Sequence, residues 1–381
     1  MKKVYYSFLL VCLCCLNLHA QKSSYRFQSG FDAQECDDLL QLNNAFVDTL
    51  SLDKHDYLIP EYEFLHQSES IGLDNMWNLW MRSDDTAVIS LRGTTSDSKS
   101  VLADFYCAML PAKGEIVLHK KDTLQYYLAT DERAALHAGF LIGFGYLAKD
   151  MLPTIDSLYQ SGHHNFLVTG HSQGGSLSYY ISAWLLHLKR KGIYPLMQVK
   201  TYACAPTKVG NMYFAYDYDN ITAAKWSFSV VNTADPVPEM PLTTQQLEED
   251  MNAPNPIMNL AKRFDRMPFF QRIFLKKAFN NMEKKATKSS EAYQKYLGKY
   301  CGKFIQKELP ELKIPNTINT TYFVRPGVPI TLLVNPAYYA YFQKVKKTAY
   351  YHHGIVPYRF LLREYYSGLS DLEPPQTDPN K

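Results

Sequence analysis

Features that this sequence lacks exclude several classes of function before any motif is considered. Beyond residue 18 there is no apolar run long enough to cross a membrane. The net charge of +3 over 381 residues is too small to indicate nucleic acid as a partner. No cysteine and histidine spacing is typical of a metal site, and there is neither an internal repeat nor a long low-complexity tract. With 46% hydrophobic and 20% charged residues, the chain is instead predicted to fold as a globular protein.

The first twenty residues have the pattern of a signal peptide. Met1-Lys2-Lys3 is a basic start, Val4 to Leu18 is apolar but short for a membrane span, and Ala20 is small enough for cleavage. A lipoprotein signal would use one of the cysteines in this segment, but the residues preceding them are not the small ones such a site prefers. We therefore expect an exported protein, periplasmic or secreted, that is soluble or peripheral to a membrane.

Four cysteines remain after this leader: Cys36, Cys107, Cys204 and Cys301. In an exported protein, four thiols allow two disulfide bridges with three connectivities. Cys204 ends an apolar strand-like run, which favours a buried free thiol at that position.

The most informative segment is Gly170 to Gly175, with the sequence Gly-His-Ser-Gln-Gly-Gly. It follows an apolar run over 166–169 that predicts a strand, and it precedes a helix-like run over 176–188. A serine between a strand and a helix can expose its hydroxyl above the sheet edge, near the N–H groups of the helix. Ser172 is therefore the candidate nucleophile for acyl transfer, the alternative being a glycine-rich turn without chemistry.

A serine nucleophile needs a histidine base and usually a carboxylate that orients it, in the chain order serine, acid, histidine. Asp235 follows the predicted strand 226–231 directly, whereas Asp217 and Asp219 do not leave a strand. His352 and His353 are the only histidines after Asp235. We favour His353 as the base.

The developing oxyanion of an acyl transfer needs two hydrogen-bond donors. The backbone N–H of Gln173, directly after the nucleophile, is the expected first donor. The second is expected from the end of an earlier strand. The segment 89–95 fits, since a strand is followed by Gly93 and then by Thr94, which offers both its N–H and its hydroxyl.

Strands separated by helices predict a mostly parallel sheet with helices on both faces. Strands are expected at 77–82, 86–91, 166–169, 199–203 and 227–232, and a hairpin at 322–334 with its turn at Pro326-Gly327. Helices are expected at 31–50 and 140–158, the second ended or kinked by Pro153.

Residues 255–309 differ in composition from the rest of the chain. They hold thirteen Lys or Arg and four Asp or Glu, a net charge of +9, with aromatic residues interleaved. We interpret the segment as a basic amphipathic helical insertion. It either caps the site, touches an anionic lipid surface, or is a surface hairpin with a solvated basic face. The predicted organisation is a signal peptide at 1–20, a core at 21–254 and 310–370 interrupted by this insertion, and a disordered tail at 371–381.

Five ordered blocks of the sequence resemble the class 3 (fungal-type) lipase family. They are Arg92-Gly93-Thr94 with Ala103-Asp104-Phe105, His137 to Phe140, Gly170 to Gly175, Thr201 to Asn211, and Val231 to Pro241. The resemblance implies an α/β-hydrolase fold, and the basic helical insertion of this chain then lies between the acid and the histidine. It also implies Ser172 as nucleophile, Asp235 as acid, His353 as base, and Thr94 with Gln173 as oxyanion donors. Asp104 matches a position that helps to hold the oxyanion loop, and His137 a structural one.

Two departures from the family pattern bear on substrate. Gln173 stands where the family commonly has leucine, and the usual lid position, 96–102, is polar and unlike an amphipathic helix. The expected function is hydrolysis of a carboxylic ester, first of acylglycerol-type lipids and second of short-chain esters or phospholipids. No metal, organic cofactor or protein partner is implied. An exported, catalytically silent surface-binding protein is the alternative from another class.

Overall fold

A computed structural model describes residues 25–46, 59–120, 122–255, 257, 264–342 and 350–366. The predicted signal peptide and C-terminal tail lie outside these residues, as does the end of the helix predicted at 31–50. Along the chain the strands are β1 (Tyr62–Gln67), β2 (Trp77–Arg82), β3 (Ala87–Leu91), β4 (Met109–Pro111), β5 (Lys113–His119), β6 (Asp122–Tyr127), β7 (Ala135–His137), β8 (Asn165–His171), β9 (Gln198–Cys204), β10 (Ser227–Asn232) and β11 (Val328–Leu332).

The α-helices lie before, between and after these strands along the chain. They are α1 (Ala33–Asn44), α2 (Ser98–Phe105), α3 (Ala138–Gln160), α4 (Gln173–Arg190), α5 (Met212–Ile221), α6 (Phe269–Tyr293), α7 (Cys301–Glu308), α8 (Pro336–Tyr341) and α9 (Ile355–Tyr365). A π-helical turn over Gln294–Tyr300 joins α6 to α7.

The main sheet has seven strands in the order β1-β2-β3-β8-β9-β10-β11. The first three pair antiparallel, and from β3 onward all neighbours are parallel. Strands β3 and β10 are buried along their whole length, as parallel strands covered on both faces must be. The carboxyl ends of β3, β8 and β10 therefore meet at one edge, where the loops to Thr94, Ser172 and Asp235 begin.

Helices cover both faces of the sheet, as the sequence predicts. On one face α3 and α4 contribute to a core that includes Phe140, Leu141, Tyr180 and Leu185. On the other face α1 and α9 pack through Leu39, Leu40, Tyr358 and Leu361. This layered, mostly parallel arrangement is the α/β-hydrolase fold.

Helix α9 is tied to α1 across the second face. Arg359 donates from Nε and Nη2 to the two carboxylate oxygens of Asp37, at 2.8 Å each. The Asp37 side chain is fully buried, and such bidentate pairs fix geometry as well as charge. The C-terminal helix is thereby held in one position relative to the sheet.

Two local predictions are wrong. Residues 322–334 do not form a hairpin, because β11 begins directly after Gly327 and pairs parallel with β10. The segment before Pro326 turns away to the loop after β9, where Val324 donates to Gly210. Helix α3 also continues through Pro153 to Gln160, so of the two effects predicted for Pro153 the ending of the helix is wrong.

Three further findings bear on predictions made from the sequence. Helices occupy most of 269–308 within the predicted insertion, and Cys301 and Ile305 of α7 belong to the first core. Cys36, Cys107, Cys204 and Cys301 are all buried free thiols. Among the described helices none is long and apolar enough to cross a membrane, and no His, Cys, Asp and Glu cluster of the described ranges is arranged to hold a metal ion.

Candidate active site

Ser172 stands at the sharp turn between β8 and α4. Its backbone has φ 61° and ψ −124°, a conformation that non-glycine residues rarely adopt. Its N–H donates to the Cys204 carbonyl on β9 at 3.0 Å, which helps to hold the strained turn. The sequence-predicted serine is therefore at the carboxyl edge of the sheet, immediately before a helix N-terminus.

The glycines of this motif are required by close packing. A Cβ at Gly170 would lie 2.2 Å from the backbone of Gly174, and a Cβ at Gly174 would lie 2.1 Å from the Leu91 carbonyl oxygen. Any side chain at either position would push α4 away from β3 and β8. The motif spacing is thus explained by helix–sheet contact as well as by chemistry.

Asp235 and His353 are 118 positions apart in sequence and in direct contact in the fold. His353 Nδ1 lies 2.7 Å from Asp235 Oδ2, and the carboxylate side chain is fully buried. The other ring nitrogen, Nε2, is buried and has no hydrogen-bond partner among the described residues. The ring is therefore oriented by the acid at one nitrogen and free to exchange a proton at the other.

The Asp235 carboxylate accepts two more hydrogen bonds. Tyr358 donates from its hydroxyl to Oδ2 at 2.6 Å, and the Val237 N–H donates to Oδ1 at 2.9 Å. Burial by itself raises the pKa of this carboxyl, but the hydrogen bond and charge of His353 and the bonds from Tyr358 and Val237 outweigh it, so the pKa is lowered. Asp235 is an anion at neutral pH.

His352 faces a different environment from its neighbour. Its Nδ1 lies 2.6 Å from the Tyr338 hydroxyl, and its carbonyl accepts from Asn232 Nδ2 at 3.1 Å. Of the two histidines left open by chain order, His353 is the one that the fold brings to Asp235.

His171, directly before the nucleophile, contacts the same histidine. Its Nε2 lies 2.6 Å from the His353 carbonyl oxygen, and the two rings are 4.9 Å apart. Burial, and next the charge of His353, lowers the pKa of His171 to about 3. A neutral His171 that donates from Nε2 thus holds the backbone of His353 against the residue that precedes Ser172.

The predicted oxyanion loop is held from two sides. Arg92 donates from Nη2 to the Asp74 carboxylate at 2.7 Å, and the Thr95 hydroxyl donates to the same group at 2.5 Å. Thr94 donates from Oγ1 to Asp104 Oδ2 at 2.8 Å. No described residue accepts a hydrogen bond from the backbone N–H of Thr94 or of Gln173, so both donors are available to a ligand.

The side chain of Gln173 does not line a substrate pocket, because it is 1% exposed and bonded inside the protein. Its Nε2 donates to the Ser100 carbonyl at 3.1 Å and to Asp104 Oδ1 at 2.8 Å. Asp104 is thus shared by the two residues predicted to supply the oxyanion donors. The side-chain amide of Gln173, which departs from the family pattern, therefore links α2 to the start of α4 by hydrogen bonds.

Asp104 is the most perturbed carboxyl of this group. Burial raises its pKa to about 6, against the lowering effects of its bonds from Gln173 and Thr94 and of the His353 charge. His137, predicted to be structural, is fully buried at the start of α3, and burial lowers its pKa to about 3. It stacks on Phe140 with ring centroids 4.0 Å apart.

The segment expected to be too polar for a lid helix is a helix. Residues Ser98–Phe105 form α2, and Val101 and Phe105 on it are 38% and 46% exposed. Its neighbour is α7 of the insertion: Lys99 and Glu308 approach to 3.9 Å, and Gly302 packs on Tyr106. The insertion therefore contacts the element beside the oxyanion loop.

Sequence reasoning missed three contributors to this site. Tyr358 and His171 carry no signal of their own, because their partners lie far away in sequence. The side-chain role of Gln173 had a signal, namely an amide where a leucine is usual, but its direction depends on how α2 packs.

Comparison with known proteins finds one matching family model and several solved structures of low sequence identity. The model of the family described as Lipase (class 3) matches residues 88–245. No curated protein matches the chain at a significant level. Among solved structures, lipase II from Rhizopus niveus is 21% identical, over 55% of this chain and 74% of that one, with a TM-score of 0.41.

Two further solved structures have a comparable likeness. A lipase from Rhizopus microsporus var. chinensis is 19% identical, over 59% of this chain and 76% of its own, with a TM-score of 0.41. The Lip2 lipase of Yarrowia lipolytica is 16% identical, over 57% and 78%, with a TM-score of 0.42.

Proposed function

We propose, from the match of residues 88–245 to the model of the class 3 lipase family, that this chain is a lipase-type hydrolase that cleaves carboxylic esters of lipids through an acyl-serine intermediate. Acylglycerol-type lipids are the proposed substrate class. The observation that carries the proposal is the contact between His353 Nδ1 and Asp235 Oδ2 at 2.7 Å, which leaves Nε2 without a hydrogen-bond partner among the described residues, while Ser172 stands in a strained turn.

In the first half of the proposed reaction, Ser172 Oγ attacks the ester carbonyl carbon while His353 Nε2 takes the hydroxyl proton. The carbonyl oxygen becomes an oxyanion and accepts from the N–H groups of Thr94 and Gln173. Collapse of this intermediate breaks the bond to the alcohol, which leaves with the proton from His353, and the acyl group stays on Ser172.

In the second half, water attacks the acyl-serine and gives a proton to His353. The released carboxylic acid leaves after this proton returns to Ser172 Oγ. Asp235 stays ionised throughout and stabilises the imidazolium form of His353, which its lowered pKa supports.

Two other functions differ from this one in measurable ways. A short-chain esterase or phospholipase would use the same residues with a different pocket. A silent surface-binding protein would need none of the charged contacts around Asp235, so their completeness speaks against it. We further propose that the protein is exported, as its N-terminal sequence predicts.

The test is hydrolysis of a p-nitrophenyl ester series of increasing acyl length by wild type and Ser172→Ala. The expected result is activity that the substitution removes by about 10³-fold or more, with an optimum at long chains. An optimum at short chains would favour the esterase. Absence of hydrolysis by folded wild type on every ester, including phospholipids, would overturn the proposal in favour of the silent protein.

A further inference from the structure

Helix α6 packs weakly on the described part of the fold. Of its 25 residues only Ser290, near its C-terminal end, is buried, and side chains such as Leu275 and Phe279 are half-buried. Apart from the pair of Lys276 with Asp265, its side-chain hydrogen bonds to described residues outside the helix lie at the C-terminal end, where Ser289 contacts Thr244 and Ser290 contacts Gln246 and Thr321. Protein helices owe most of their stability to packing of an apolar face, so a long bare helix indicates a surface that has a partner.

The first two turns of α6 present an exposed apolar cluster. Phe269, Phe270, Ile273 and Phe274 are 59%, 84%, 49% and 71% exposed. Phe270, Ile273 and Phe274 follow Phe269 by one, four and five residues, which places all four side chains on one side of the helix. Exposed aromatic clusters of this kind mark interaction sites rather than ordinary soluble surface.

The same side of the helix becomes basic further along. Lys277, Lys284 and Lys288 follow Phe270 and Phe274 at helical spacing. Between Arg266 and Lys288 there are seven Lys or Arg residues and one acidic residue, Glu283, so the net charge is 7 − 1 = +6. Lys276 pairs with Asp265 at 2.6 Å, and Arg272 lies over the Phe269 ring at 5.6 Å. The other five cations form no salt bridge with any residue that the structure describes.

We propose that α6 docks on an anionic lipid surface, with the four apolar side chains at the boundary between headgroups and acyl chains and the lysines on the headgroups. A helix with exposed Phe next to Lys and Arg has the chemistry of an interfacial helix. A second copy of this chain is a poor occupant, because two faces of charge +6 would repel each other. Nucleic acid would satisfy the lysines alone and leave the aromatic cluster in water.

The position of α6 connects such docking to the site. The π-helical turn and α7 follow it directly, and α7 packs on α2 beside the oxyanion loop. The basic C-terminal end of α6 is therefore linked to the element beside the oxyanion loop, whereas the aromatic cluster lies about 30 Å away along the helix. The inference goes beyond the proposed hydrolysis, since docking requires no turnover.

The test is co-sedimentation of the full chain with vesicles of phosphatidylcholine alone and of phosphatidylcholine mixed with phosphatidylglycerol. We expect binding to the mixed vesicles that weakens with added salt. Phe270→Ser with Phe274→Ser should weaken it about tenfold or more, and Lys284→Gln with Lys288→Gln about tenfold. Ile193→Ser with Leu196→Ser is the matched control, because those side chains are 54% and 62% exposed elsewhere.

Three outcomes would overturn the inference. One is the absence of vesicle binding, or binding that both α6 variants keep. Another is a lipid-free dimer, seen by light scattering, that the Phe variants abolish. The last is binding to a polyanion such as heparin without binding to vesicles. Vesicle binding by a chain that hydrolyses no ester would leave this inference standing and remove only the proposed hydrolysis.

Discussion

Tyr358 and His353 hydrogen-bond to the same carboxylate oxygen of Asp235, at 2.6 Å and 2.7 Å. Both come from the last described segment of the chain, on either side of the start of α9. The acid is therefore oriented by the element that also carries the histidine, so that a shift of α9 would displace both partners together.

Replacing Tyr358 by Phe should reduce kcat about tenfold with little change in KM, because the lost hydrogen bond fixes the acid rather than the substrate. The free energy of unfolding should fall by about 1–3 kcal/mol, as for other bonds to a charged group. Steady-state kinetics and urea denaturation measure the two effects. Tyr365→Phe is the control, since that hydroxyl donates to the Leu333 carbonyl at the surface. Equal kinetics in both variants would contradict the prediction.

The two adjacent histidines should separate activity from stability. We expect His353→Gln to lower kcat by about 10³-fold or more, as for removal of a triad member. His352→Gln should keep most of the activity and instead lose stability, because its Nδ1 contact with Tyr338 is away from the acid. Ester hydrolysis and thermal denaturation of both variants, side by side, measure this. A greater loss of activity in His352→Gln would reverse the assignment.

Gln173→Leu restores the residue that is usual in the family and removes two hydrogen bonds, to Ser100 and Asp104. Asp104 then keeps the hydrogen bond from Thr94 but loses the one from Gln173. We therefore expect kcat to fall several-fold while KM changes little. The unfolding free energy should fall by about 1–3 kcal/mol. Gln125→Leu on the exposed β5–β6 hairpin is the control. An unchanged kcat with normal stability would mean that the amide has no part in holding α2.

Asp104 should make stability depend on pH below neutrality. Its folded pKa of about 6 is above the value of about 3.9 in unfolded chains. Between these values the folded state binds more protons, so its contribution to the unfolding free energy decreases as pH rises and is constant above about pH 6. Urea denaturation from pH 4 to 7 should therefore favour wild type over Asp104→Asn progressively less as pH rises. Parallel curves for the two proteins would contradict the assigned shift.

Much of the fold follows from local pattern. Strands β3 and β8 contain short apolar runs, and the glycines around Ser172 specify a strand–helix turn that only small residues permit. The position of Asp235 at the carboxyl end of a strand was predictable because it follows the apolar strand residues directly. These features are encoded within a few residues of each other, which is why sequence reasoning reaches them.

The rest depends on contacts between distant segments. Of His352 and His353, the fold brings only His353 to Asp235, while Asn232 and Tyr338 bind His352. The parallel pairing of β11 was mistaken for a hairpin because Pro326-Gly327 is also a turn signal. Neither the direction of the Gln173 side chain nor the bond from Tyr358 has a local signature, since each needs the packing of two helices.

The contact between His353 and Asp235 also determines the order in which the proposed site forms during synthesis. During synthesis, Thr94, Ser172 and Asp235 leave the ribosome more than a hundred residues before His353 does. A growing chain can therefore pair β3, β8, β9 and β10 while its serine still lacks a base. The proposed site is completed only when the final helix docks, with Arg359 on Asp37 and Tyr358 on Asp235. Under the proposed mechanism, a chain that has not yet docked this helix lacks its base and cannot form the acyl-serine.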